Sequence, residues 1–115
     1  MTSDRMRRVD EAVREVLSDA ITKQVKDPRV GFVTVTAVET APDLRRARVY
    51  VSVLGDRSVR KRSMAGLQSA HGVLQRVVAS ELRLKHTPTL EFLYDDTSER
   101  GFRIARLIDE EAGER

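Results

Sequence analysis

The segment Arg57-Ser58-Val59-Arg60-Lys61-Arg62 sets four cations within six residues. Cations at that density suit phosphate contact, since they neutralise backbone charge and a planar guanidinium offers paired donors to phosphate oxygens. The run also falls where a helix begins, and the positive end of a helix disfavours cations. A basic patch that is mildly unfavourable for its own helix points to an external anion; a solvated helix face is the alternative. Arg76, Arg83 and Lys85 could extend the same surface, although Arg83 and Lys85 also suit a helix C-terminus. Arg45, Arg46 and Arg48 could flank a nucleic-acid surface or only keep an open sheet face soluble.

A second feature is Ala70-His71-Gly72, where two apolar helical stretches meet. A glycine there lets the backbone bend and approach a partner closely. Phosphates could then reach backbone N–H groups at the start of the following helix. A plain packing kink is the alternative, and His71 is expected to be exposed. Catalysis has little support. The chain has no Cys, and His71 and His86, its only histidines, show no local zinc-ligand spacing. Asp95-Asp96 reads as a cap and turn rather than a metal site. There is no phosphate-loop lysine motif and no nucleophile elbow. No enzyme activity, metal or cofactor is expected. Among the few aromatic residues Phe92 and Tyr94 look like core, leaving Tyr50 as the one candidate stacking platform. Backbone charge and RNA shape are therefore expected to outweigh base stacking.

These groups need a scaffold. The chain has 115 residues, which fits one compact domain, and 40% hydrophobic residues, enough for a core. Its net charge is only +3, but 17 of its 21 basic residues are Arg. That bias fits phosphate and base contact, or the codon usage of a GC-rich genome. The polar N-terminus lacks the apolar core of a signal peptide, and no run approaches the ~18 apolar residues of a membrane span. A cytoplasmic protein without a membrane partner is expected.

From Asp4 to Lys26 apolar residues recur at intervals of three and four, as on one face of a helix. Asp10 and Arg14 stand four apart in the favourable acid-first order. Asp27-Pro28 ends the helix. Phe32–Glu39 and Arg46–Leu54 read as strands pairing in an antiparallel hairpin, with Ala47, Val49, Val51 and Val53 on one face. Ser58 is a candidate cap for the next helix. The helical period then runs through Gly72, and Gly66 and Gly72 each cost about 1 kcal/mol relative to Ala, which favours a bend. Thr89–Tyr94 is a third strand, parallel to a central second strand because the crossover is long and helical. A short helix over Ser98–Ala112 and a tail follow.

The predicted order is that of an α+β, type II KH-like domain: α-β-β-α-kink-α-β, with helices on one face of a three-stranded sheet. Residues 1–97 would form the domain and 98–115 a short C-terminal helix and tail. Motifs in the right order make the match closer than fold. They include Lys26-Asp27-Pro28-Arg29, Val33-Thr34-Val35-Thr36, and Asp43-Leu44 followed by Ala47-Arg48-Val49-Tyr50-Val51-Ser52. Next come Ala70-His71-Gly72, His86-Thr87-Pro88 with Leu90-Glu91-Phe92, and Asp95-Asp96-Thr97-Ser98 with Arg103-Ile104. Over about residues 5 to 110 the chain resembles the ribosome-binding factor A family.

The resemblance implies a KH-like fold whose Gly-x-x-Gly loop is replaced by an Ala-x-Gly kink. It implies binding to free 30S small ribosomal subunits, support of late 30S maturation and 16S rRNA processing, and contact near the 5′-terminal helix of 16S rRNA. A role in cold adaptation is implied too. The basic C-terminal extension of some relatives is not expected, since the chain ends Glu110-Glu111-Ala112-Gly113-Glu114-Arg115. Ribosome biogenesis through RNA binding, as a monomer, is the leading expectation. A generic KH-type single-stranded nucleic-acid module, or a protein-interaction domain brought to the ribosome by a partner, is the alternative.

Overall fold

The computed structural model of the chain describes residues 4–84 and 86–97. In order they form α1 (Asp4–Gln24), β1 (Val33–Thr40), β2 (Arg46–Val53), α2 (Arg57–Ser69), α3 (His71–Leu82) and β3 (Thr89–Tyr94). The helix expected over Ser98–Ala112, its tail and Lys85 lie outside the described residues.

The sheet order is β1-β2-β3, with β2 antiparallel to β1 and parallel to β3, as the helical crossover predicts. Ala47, Val49 and Val51 of the central strand are fully buried. They alternate with Arg46, Arg48 and Tyr50 on the open face, because successive strand residues point to opposite sides. On β1 the alternation breaks: Val35 is buried, then Val38 and Thr40. A bulge between Val35 and Ala37 supplies the extra residue that shifts the inward set by one. Leu17 of α1, Leu67 of α2 and Leu74 of α3 complete the core over that face.

The expected Asp10–Arg14 pair does not form. Asp10 is half-buried on the sheet side of α1, and its Oδ1 accepts the Thr40 N–H at 2.8 Å. β1 is an edge strand, so that outward N–H has no ladder partner, and a half-buried carboxylate satisfies it. Arg14 pairs with Glu11 instead.

Candidate nucleic-acid interface

The basic run opens α2, but Ser58 does not cap it. Asp56 does: its side chain accepts the Val59 N–H at 2.9 Å. A carboxylate oxygen in the extended residue before the helix satisfies an orphan amide and complements the helix dipole, which offsets the cations that follow. Gly55 makes the entry possible. Its φ of +132° suits glycine, and a Cβ there would stand 2.9 Å from Cβ of Val59.

The cations then fan around the helix at 100° per residue. Arg60 is half-buried, its guanidinium carbon 4.0 Å from the Tyr94 ring centroid, a cation–π contact that anchors α2 to the end of β3. Tyr94, expected as core, is half-buried beneath it. Arg62 lies on the other flank, one turn from Val59 and next to Ser63. There Ser63 Oγ accepts the Gly31 N–H at 3.1 Å and donates to the Arg29 carbonyl at 3.3 Å. Lys61 lies between Arg60 and Arg62 on the helix circumference and is exposed. Arg57, Lys61 and Arg62 are exposed, and among the described residues none makes an ion pair. No Asp or Glu occurs from residue 57 to 80.

The bend is real and confined to Ala70 (φ −84°, ψ 3°), which ends α2 and precedes α3. No side chain of the described residues caps α3, so its N-terminus presents its first turn without a side-chain acceptor. His71 is not exposed as expected. It is half-buried, and its Nε2 donates to the Leu90 carbonyl at 3.0 Å, since a carbonyl can only accept. Gln75 repeats the tie, donating to the Pro88 carbonyl at 2.5 Å and accepting the Leu90 N–H at 3.1 Å. The kink is thus fastened to the start of β3. The two helical glycines differ. A Cβ at Gly66 would lie 2.6 Å from Val30 Cγ2, whereas a Cβ at Gly72 would meet nothing within 4 Å. Close packing within the chain therefore requires Gly66, and Gly72 opens outward.

A shallow groove of about 180 Å³ runs beside the kink, bordered by Lys26, Asp27, Ser69, Ala70 and Val73. Arg29 donates to Ser69 Oγ at 2.9 Å and to Asp27 Oδ2 at 2.6 Å. Those guanidinium hydrogen bonds hold the Asp27 carboxyl down at about 2. Arg76 is exposed farther along the same flank, in a concavity it shares with Gln24, Val73 and Glu81.

The remaining candidates do not join this surface. Arg45, Arg46 and Arg48 border a concavity toward the opposite end of β2, roughly 16 to 26 Å along the strand from Val53 at 3.3 Å per residue. They share it with Glu39 and Asp43, and Arg48 stands between Glu39 of β1 and Glu91 of β3 in the ladder. That end is electrically mixed. Arg83 takes a left-handed φ of 47° as the C-cap of α3, so helix termination accounts for its position.

The comparisons with known proteins bear on the family and the fold. The family model described as ribosome-binding factor A matches residues 5–108. The chain belongs to the ribosome-binding factor A family. One relative, a ribosome-binding factor A from Anaeromyxobacter sp. (strain K), is 52% identical over 110 residues, covering 95% of this chain and 80% of that protein. The crystal structure of ribosome-binding factor A from Thermus thermophilus superposes with a TM-score of 0.69 at 26% identity, covering 77% of this chain and 94% of that one. A Thermus thermophilus ribosome-binding factor A homology model, fitted into a cryo-EM map of a 30S complex, gives 0.65 at 27% identity over 76% and 92% of the two chains.

Within this family frame, sequence reasoning missed Lys26 and Arg29 as neighbours of the kink, although Lys26-Asp27-Pro28-Arg29 stands out as a motif. It also misjudged the aromatic residues. Tyr50 is half-buried with its hydroxyl 3.5 Å from Glu39, while Phe32 is 79% exposed.

Proposed function

We propose that this protein binds free 30S subunits through the outer surface of α2 and α3 and assists late 30S maturation and 16S rRNA processing, near the 5′-terminal helix of that RNA. The observation that carries the reading is the stretch 57–80, five cations with no carboxylate, folded into two helices whose junction is open at Gly72. Phosphates would meet Arg57, Lys61, Arg62 and Arg76, and the uncapped first turn of α3 would take one more. The relative fitted into a 30S complex supports the choice of partner. The protein acts by binding, as a monomer and without a cofactor. Residues 1–97 serve as the RNA-binding unit, and Arg45, Arg46 and Arg48 are secondary contacts. Among the described residues no helix is long and apolar enough to cross a membrane. Cosedimentation with free 30S subunits and with joined ribosomes, at two salt concentrations, tests the reading. Binding restricted to free 30S and weakened by salt is expected; equal binding to joined ribosomes, or a flat salt response, overturns it.

A further inference from the structure

We infer that Phe32 and Leu54 form a stacking platform for one unpaired RNA base, beside the cations that open α2. The inference rests on the ribosomal reading above and assigns that surface a ligand beyond phosphate. Phe32 and Leu54 are 79% and 75% exposed, the most exposed large apolar residues of the described chain. They are neighbours: the Leu54 N–H donates to the Phe32 carbonyl at 3.0 Å. Their position is fixed. Gly31, next to Phe32, is hydrogen-bonded to Ser63 Oγ, and a Cβ on it would stand 3.6 Å from Val59 Cγ1. Gly55, next to Leu54, is pressed against Val59 from the other strand. Both apolar residues therefore flank the first turns of α2, at the corner where Val59, Arg62 and Ser63 lie.

A ring beside cations is the combination that single-stranded nucleic acid uses, with the base on the π-face and its flanking phosphates on the guanidinium groups. A second copy of this chain fits poorly, because a two-fold contact at this corner would bring Arg57, Lys61 and Arg62 against their own equivalents. An apolar protein partner would use the hydrocarbon area but give the cations nothing.

The test uses the full chain and free 30S subunits. Phe32 is exposed, so its variants should fold, which thermal unfolding verifies. Phe32→Ala should weaken cosedimentation roughly 5- to 150-fold, the range that loss of one stacked base converts to. Phe32→Leu keeps the apolar contact but has no π-face, and should lose nearly as much. Phe32→Trp should bind like the parent chain. Because the chain has no Trp, its indole fluorescence should be quenched on adding 30S subunits. Parent-like binding by Phe32→Ala with the salt dependence intact overturns the platform alone. Parent-like binding by Phe32→Leu assigns the patch to a protein surface, and a dimer that Phe32→Ala dissociates assigns it to self-association; either overturns it. Failure of the parent chain to bind 30S at all removes the ribosomal reading with it.

Discussion

Helix α1 carries Arg5, Arg7, Arg8, Arg14 and Lys23 among five acids, whereas α2 and α3 carry Arg57, Arg60, Lys61, Arg62 and Arg76 with Glu81 as their only acid. In α1 the spacing pairs charges one turn apart: Arg7 with Asp4 at 2.7 Å, Lys23 with Asp19 at 2.9 Å, and Arg14 with Glu11. The Arg14 hydrogen bond holds the Glu11 carboxyl below its ordinary value. In α2 no carboxylate stands three or four residues from Arg57, Lys61 or Arg62. Equal numbers of cations thus produce a locally neutral surface on one helix and a net positive field on the other pair. Spacing relative to acids, rather than cation count, decides which helix can attract phosphate.

The largest expected difference comes from reversing charge on each side. With Arg57, Lys61 and Arg62 changed to Glu, the slope of log affinity for 30S subunits against log salt should become shallower by about three, one per lost phosphate contact. Changing Arg7, Arg14 and Lys23 to Glu should leave the slope where it was, because those cations are already neutralised. Equal loss in the two triple variants would mean that binding reads overall charge and that the α2–α3 surface has no special part.

Much of this contrast was legible in the sequence, and the physical reason is range. The β2 alternation, the apolar stripe of α1 and the bend near Gly72 are local patterns, set by neighbours a few residues away. Features that depend on distant partners were not legible. His71 reads as an exposed histidine until β3 folds back and places the Leu90 carbonyl beside it, 19 residues on. Asp10 reads as half of a helical ion pair until the β1 edge offers it the Thr40 amide. Arg57–Arg62 reads as one patch, yet helix geometry sends Arg60 to Tyr94 and leaves Arg62 on the opposite flank. Phe32 has the pattern of a strand residue, and only its place beside the start of β1 leaves the ring in water.

Two glycines of the α2–α3 pair separate its packed side from its open side. Gly66→Ala should destabilise the protein by about 1–3 kcal/mol, since the new methyl overlaps the stiff Val30 side chain and lies close to the Val30 backbone nitrogen. Gly72→Ala should do the reverse, raising stability by up to about 1 kcal/mol through helix propensity, because nothing in the chain opposes it. Thermal unfolding distinguishes the two. The same Gly72→Ala protein should bind 30S subunits more weakly, as its methyl narrows the approach to the first-turn amides of α3. A variant that is more stable and binds equally well would reduce the kink to packing.

The smallest effect is expected at Asp27, the one carboxylate among the residues bordering the groove beside the kink. It silences Arg29 much as the acids of α1 silence their partners. Arg29 hydrogen bonds hold its carboxyl at about 2, below the ordinary 3.8. A depressed folded-state value means that the pair's contribution is fully present above 3.8 and is lost as pH falls through about 2. Carbon-detected NMR titration of the Asp27 carboxyl should therefore show a midpoint near 2 rather than 3.8. Asp27→Asn removes the neutralising charge and leaves Arg29 on Ser69, turned toward the groove. Binding to 30S subunits should then tighten slightly, with the salt slope steeper by about one. A midpoint at the ordinary value would mean that the Arg29–Asp27 pair does not form in solution, and an unchanged slope would mean that this flank of the kink adds no phosphate contact when Arg29 is freed.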